Sequence, residues 1–198
     1  MCRNTWGVVF LGGAIALSAW LPGGGLTQAV RADDGKEKVA IRDDCDPADP
    51  LWAPTGGCSL EDGDVTNAEF FAESGPASGP LAASVIGHQG WWNDPPYLKV
   101  EVGDTVKVRN RGGRIHTFTE VANFGGGRVG PLNKGLAPAP ECVPPTATSV
   151  DLPPGARAKV TGLAEGNHRF QCCIHPWMRA LIKVQPKAED DDHDDHEN

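Results

Sequence analysis

Polar and apolar residues alternate through the middle of the chain. Tyr97-Leu98-Lys99-Val100-Glu101-Val102 and Thr105-Val106-Lys107-Val108-Arg109 each put every second side chain on one apolar face, the period of a half-buried strand. Gly103-Asp104 between them is a turn pair. Segments 81–86, 115–121, 149–152, 157–160, 168–172 and 180–184 read as further short strands, and 115–121 is rich in β-branched residues. Residues 110–114, Pro153-Pro154-Gly155 and Glu165-Gly166-Asn167 read as turns. Trp91, Trp92, Pro95 and Pro96 read as a bulky loop, and 123–147 as a Gly/Pro loop too long to be idle. Many short strands with regular turns predict an all-β sandwich or barrel.

The ends of the chain follow other patterns. One base, Arg3, precedes an apolar run from Gly7 to Leu21, then Gly23-Gly24-Gly25 and the small residues Val30 and Ala32. This is the layout of a secretory signal, expected to cover residues 1–32 with cleavage after Ala32. The alternative is an uncleaved anchor, for which the run is short and glycine-containing. No later segment is apolar for long enough to cross a membrane. Residues 33–79 read as a short irregular N-terminal extension with one small helix at 67–73. Thr66 and Glu69 have capping-box spacing, and Phe70 and Phe71 are its expected anchors on the body. Residues 188–198 (AEDDDHDDHEN) contain no large apolar residue and read as a disordered acidic tail. His193 and His196 there offer weak metal ligands, against the plainer reading of a solvated tail.

Charge separates the same regions. The whole chain is −8, yet residues 76–187 carry 13 bases and 7 acids, while 33–75 carry 12 acids and 3 bases and 188–198 carry 7 acids and no base. Overall acidity argues against nucleic-acid binding. The basic body suits an acidic partner, or its own acidic ends. Of six cysteines, Cys2 lies in the signal, so five remain and one is left over from pairing. Cys45 and Cys58, in a Pro/Gly/Asp-rich stretch, read as a local disulfide. Cys142 and Cys173 are then the remaining possible pair, and Cys172 the odd thiol. A vicinal Cys172–Cys173 disulfide is the competing arrangement, opposed by the outward alternation of strand side chains.

The run Phe170-Gln171-Cys172-Cys173-Ile174-His175-Pro176-Trp177-Met178 carries the chemistry. Cys-x-x-His-x-x-Met supplies a thiolate, an imidazole and a thioether, and His116 adds a second imidazole from the 115–121 strand. Two His and one Cys with a weak axial Met form the ligand set of blue copper. Zinc also takes Cys and His but has little use for a thioether. Alone, His116 reads as a structural strand residue and Met178 as core; the order of all four donors favours ligation. His88 reads as a loop residue and His168 as a surface residue.

This run resembles the copper loop of the cupredoxins, as Tyr97 to Val106 resembles a strand-turn-strand of that family and Ile115-His116-Thr117-Phe118 the region of its first His ligand. The likeness covers about 80–187. It implies a Greek-key β-sandwich, one copper ion held by His116, Cys172, His175 and Met178, and one-electron transfer through a surface-lying His175. Thr117 stands where many members carry an Asn that ties the ligand segments. The resulting expectation is a monomeric periplasmic or secreted electron carrier, not an enzyme. It would meet a transient redox partner, cytochrome-like or an oxidase, with no nucleic acid and no membrane span after cleavage. The alternatives are copper delivery with the tail as feeder, or an accessory domain of a copper oxidoreductase. The latter lacks the His-x-His motifs that further copper centres require.

Overall fold

A computed structural model describes residues 38–74 and 87–187. The signal at 1–32, the strand at 81–86 and the tail at 188–198 with His193 and His196 lie outside the described residues. Eight strands form two four-stranded sheets packed face to face, a β-sandwich. The first sheet has the order β2-β1-β4-β6, built from β1 (Lys38–Arg42), β2 (Trp92–Asp94), β4 (Val106–Asn110) and β6 (Arg157–Val160). The second has the order β3-β8-β7-β5, from β3 (Tyr97–Glu101), β8 (Arg179–Gln185), β7 (Gly166–Gln171) and β5 (Thr119–Val121). Val39, Ile41, Val106 and Val108 of one sheet meet Val100, Phe170, Ala180, Ile182 and Val184 of the other in a single apolar core. Among the described residues no helix is long and apolar enough to cross a membrane.

Several sequence expectations change here. Residues 38–42, expected in the irregular extension, are an inner strand: β1 runs parallel to β4 and antiparallel to β2. Its five residues do alternate, burying Val39 and Ile41, but the acidic surroundings hide so short a pattern. Trp92 to Asp94, expected in a loop, pair with β1. The expected strands at 115–121 and 149–152 shrink to β5 and to one isolated bridge between His116 and Leu152. The backbone between them is free to turn His116 inward.

The small helix α1 (Asn67–Glu73) has both halves of its capping box, with Thr66 Oγ1 accepting from Glu69 N and Glu69 accepting from Thr66 N. Phe70 is buried at 2% exposure, whereas Phe71 is 53% exposed and meets the core only edge-on through Phe70, at 5.2 Å. Phe70 joins Trp52, Trp91, His88 and Trp177 in one aromatic cluster. His88 lies in a loop as expected, but it is buried, with Nε2 3.2 Å from Glu73 Oε2.

Candidate metal centre

Three donors converge between the sheets. His116 Nδ1 and His175 Nδ1 each lie 3.8 Å from Cys172 Sγ, and the three ligand atoms all fall within 4.8 Å of one another. Cys172 follows β7, so its position is set by the β7–β8 pairing. Its N–H donates to Met178 O (3.0 Å), and Met178 N donates to His175 O (2.9 Å), which closes the loop tightly on itself. Met178 is fully buried at the end of that loop, one residue before β8. His116 comes from the opposite side, held by its bridge to Leu152.

The cysteines divide by face. Cys45 is bonded to Cys58 and Cys142 to Cys173, leaving Cys172 as the free, buried cysteine among the described residues. Cys172 and Cys173 therefore point to opposite sides, as successive residues of an extended chain must. The Cys142–Cys173 bridge also fastens the long 123–147 loop to the ligand strand. Arg128 N donates to Cys173 O (2.7 Å), and Gly127 lies so close that an added Cβ would stand 2.1 Å from the same oxygen. Thr117 ties the two ligand segments: its hydroxyl accepts from Cys173 N (2.7 Å), and its own N–H points at Cys172 Sγ (3.4 Å).

A residue that the sequence reading missed completes the arrangement. Asp43 Oδ2 lies 2.7 Å from His116 Nε2, and both side chains are fully buried. A carboxylate only accepts, so His116 carries its proton on Nε2 and turns Nδ1 toward the sulfur. Burial pushes the Asp43 carboxyl up, but His116 and the N–H groups of Gly113 and Arg114 outweigh it and hold it below its ordinary value. Burial likewise opposes charge on His116, yet the bonds to Asp43 and Cys172 push it up to about 9. Burial raises the Cys172 thiol, but the two imidazoles bring it well below its ordinary value. Burial, only partly offset by Cys172, lowers His175. The two imidazoles thus favour the thiolate, the form in which cysteine ligates.

His175 differs from the expected surface position. It is 5% exposed and packs against Trp177, Phe70 and Trp91 at ring-centroid distances of 5.5, 6.1 and 6.4 Å. It still lines a shallow groove with Trp52, Phe71, Ile115, Leu132 and Ile174. His168 is not among the converging donors; it is bonded to Glu120 (2.6 Å) and to Ala164 O (2.7 Å).

Two imidazoles and a thiolate, with a buried thioether on the same loop, are a soft donor set on a β-sandwich. The likeness is to the cupredoxins. A purple cupredoxin from Nitrosopumilus maritimus is 19% identical, with a TM-score of 0.36, over 52% of this chain and 95% of that one. Two amicyanin variants in the reduced state are 25% and 26% identical, with TM-scores of 0.32 and 0.31, each over 46% of this chain and 71% and 70% of theirs. No family model and no curated protein matches the chain. The residues present fit copper by their chemistry: that metal must be held as both Cu(I) and Cu(II), and sulfur with imidazole suits both.

Proposed function

We propose that this protein is an exported, periplasmic or secreted carrier of single electrons, holding one copper ion through His116, Cys172, His175 and Met178. The observation that carries this reading is the convergence of the buried Cys172 sulfur and two imidazole nitrogens within 4.8 Å. Copper bound there supplies a one-electron Cu(II)/Cu(I) couple. The chain's part is to fix the donors. Cys172 and His175 are set by the loop bonds to Met178, and His116 by Asp43 and Leu152, so little rearranges when an electron arrives or leaves. A buried centre with four donors leaves no open position for substrate, which favours a carrier over an enzyme. The groove beside His175 is the expected docking face for a transient partner, since small and weakly held interfaces suit electron transfer.

Titration with Cu(II), followed by visible absorption and EPR, tests the reading. The expected result is an intense thiolate-to-copper band with a narrow copper hyperfine splitting, both absent in Cys172→Ser. A pale, ordinary Cu(II) spectrum unchanged in the variant would remove Cys172 as a ligand and electron transfer as the function.

Loading should also release a proton. His116, pushed up to about 9 without metal, is protonated near pH 7 and must give up a proton for Nδ1 to coordinate, while the Cys172 thiol, held well below its ordinary value by the imidazoles, adds less to the count. Calorimetry in buffers of different ionisation enthalpy should find about one proton released near neutral pH and about none above pH ~10. Cu(II) affinity should rise with pH through that window and then level. A release that does not change with pH would contradict the His116 assignment.

A further inference from the structure

Asp43 stands 73 residues before His116, directly after the inner strand β1, and the fold brings it behind the imidazole. Both of its oxygens are engaged. Oδ1 accepts from Gly113 N (2.9 Å), and Oδ2 accepts from Arg114 N (3.0 Å) and from His116 Nε2 (2.7 Å). Gly112 leaves room for nothing larger, since an added Cβ would lie 1.9 Å from Asp43 Oδ2. With Cys45 N at 3.5 Å, four N–H donors converge on one fully buried carboxylate and make a site built for a negative charge. Arg114 does not cancel that charge by a side-chain bond. Its guanidinium is turned to the carbonyls of Trp52, Thr55 and Gly57 and to the Thr55 hydroxyl.

We infer that Asp43 is a positioning residue of the metal centre: it locks His116 with Nδ1 toward the other donors and sets a fixed negative charge behind that ring, favouring Cu(II) over Cu(I). The inference rests on the copper reading above. With Nδ1 given to the metal and the Nε2 proton donated to Asp43, His116 is a neutral ligand, and the carboxylate is a buried net charge one imidazole away from the metal. In a low-dielectric interior such a charge acts strongly. It stabilises the more positive ion, so the direction is a lowered reduction potential. Outer carboxylates on ligand histidines elsewhere fix the tautomer and raise ligand basicity, and their loss costs about 10–100-fold in metal affinity. Among the described residues no carboxylate is bonded to His175, so the two histidines contribute unequally.

The test is Asp43→Asn, which keeps the shape and removes the charge. All four donors remain, so the thiolate-to-copper band should persist. The affinity for Cu(II) relative to Cu(I) should fall at least tenfold, a rise of about 59 mV for a one-electron couple. A variant that keeps the band at an unchanged potential overturns this inference alone, even if its unfolding temperature drops, because lost stability by itself is what a purely structural carboxylate would give. Nitrogen NMR of the Cu(I)-loaded parent chain supplies a second measurement that does not depend on the variant folding. It should show the His116 proton on Nε2, protected from exchange. A proton on Nδ1, or one that exchanges freely, overturns the inference. A parent chain without the thiolate band overturns the copper reading and this inference with it.

Discussion

A chain beginning at Pro80 is expected not to fold, whereas one beginning at Asp33 folds. The sequence marks residue 80 as the start of the copper domain, and the structure makes that boundary untenable. Removing β1 takes an inner strand from the β2-β1-β4-β6 sheet, leaving β2 without its strand partner and β4 with an open edge. It also removes Val39, Ile41, Trp52 and Phe70 from the core. Each such side chain is worth about 1.5–3 kcal/mol of burial or more, and four together rival the ~5–15 kcal/mol by which a domain is stable. The Asp43 carboxylate goes as well, leaving His116 Nε2 and the Gly113 and Arg114 N–H groups buried without an acceptor. Circular dichroism and the amide dispersion of a proton–nitrogen spectrum decide the matter. A well-dispersed spectrum from the shortened chain would show that the N-terminal segment is an appendage after all.

The next largest effect is expected from Phe70→Ala. Phe70 is the hub of the aromatic cluster, with ring centroids 4.6 Å from Trp91, 5.5 Å from Trp52 and 5.9 Å from both His88 and Trp177. These are rigid side chains that cannot collapse far into the vacated space, so the substitution should cost about 3–5 kcal/mol, the usual range for a buried Phe. Phe71→Ala, one residue on and mostly exposed, should stay within about 0.5 kcal/mol of the parent. Urea unfolding of both variants provides the comparison. Equal losses would mean that α1 as a whole, rather than the Phe70 ring, holds this layer. Because Phe70 also packs on His175, its loss should loosen that ligand, seen as a broadened Cu(II) EPR signal beside an intact thiolate band.

These expectations share a cause. Arg114, next but one before His116, spreads its guanidinium over the 52–57 segment and stacks on Trp52 at 4.4 Å. The N-terminal segment, the His116 turn and the aromatic cover of His175 are therefore one packed unit. A disturbance in any of them reaches the donors.

Much of this protein was legible in its residues. The period-two alternation at 97–102 and 105–109 requires half-buried strands, because side chains of a strand alternate between faces, and β3 and β4 form there. The capping box at Thr66 and Glu69 determines where α1 begins, since both partners lie within one turn. The Cys-x-x-His spacing places a thiol and an imidazole on one short loop, where closeness in sequence compels closeness in space, and they lie 3.8 Å apart. Such signals are local, and so they can be read along the chain. What only the tertiary structure decided is non-local. The strand β1 is too short and too surrounded by acids to stand out, and the parallel pairing that makes it an inner strand is invisible without β4. Asp43 looks like one more carboxylate of an acidic stretch until the fold sets it 2.7 Å from a histidine 73 positions on. The covering of His175 likewise depends on Phe70 and Trp91 arriving from distant segments. Composition governs how a residue is solvated when exposed. Packing alone determines whether it is exposed, and for Asp43 and His175 that decided the chemistry.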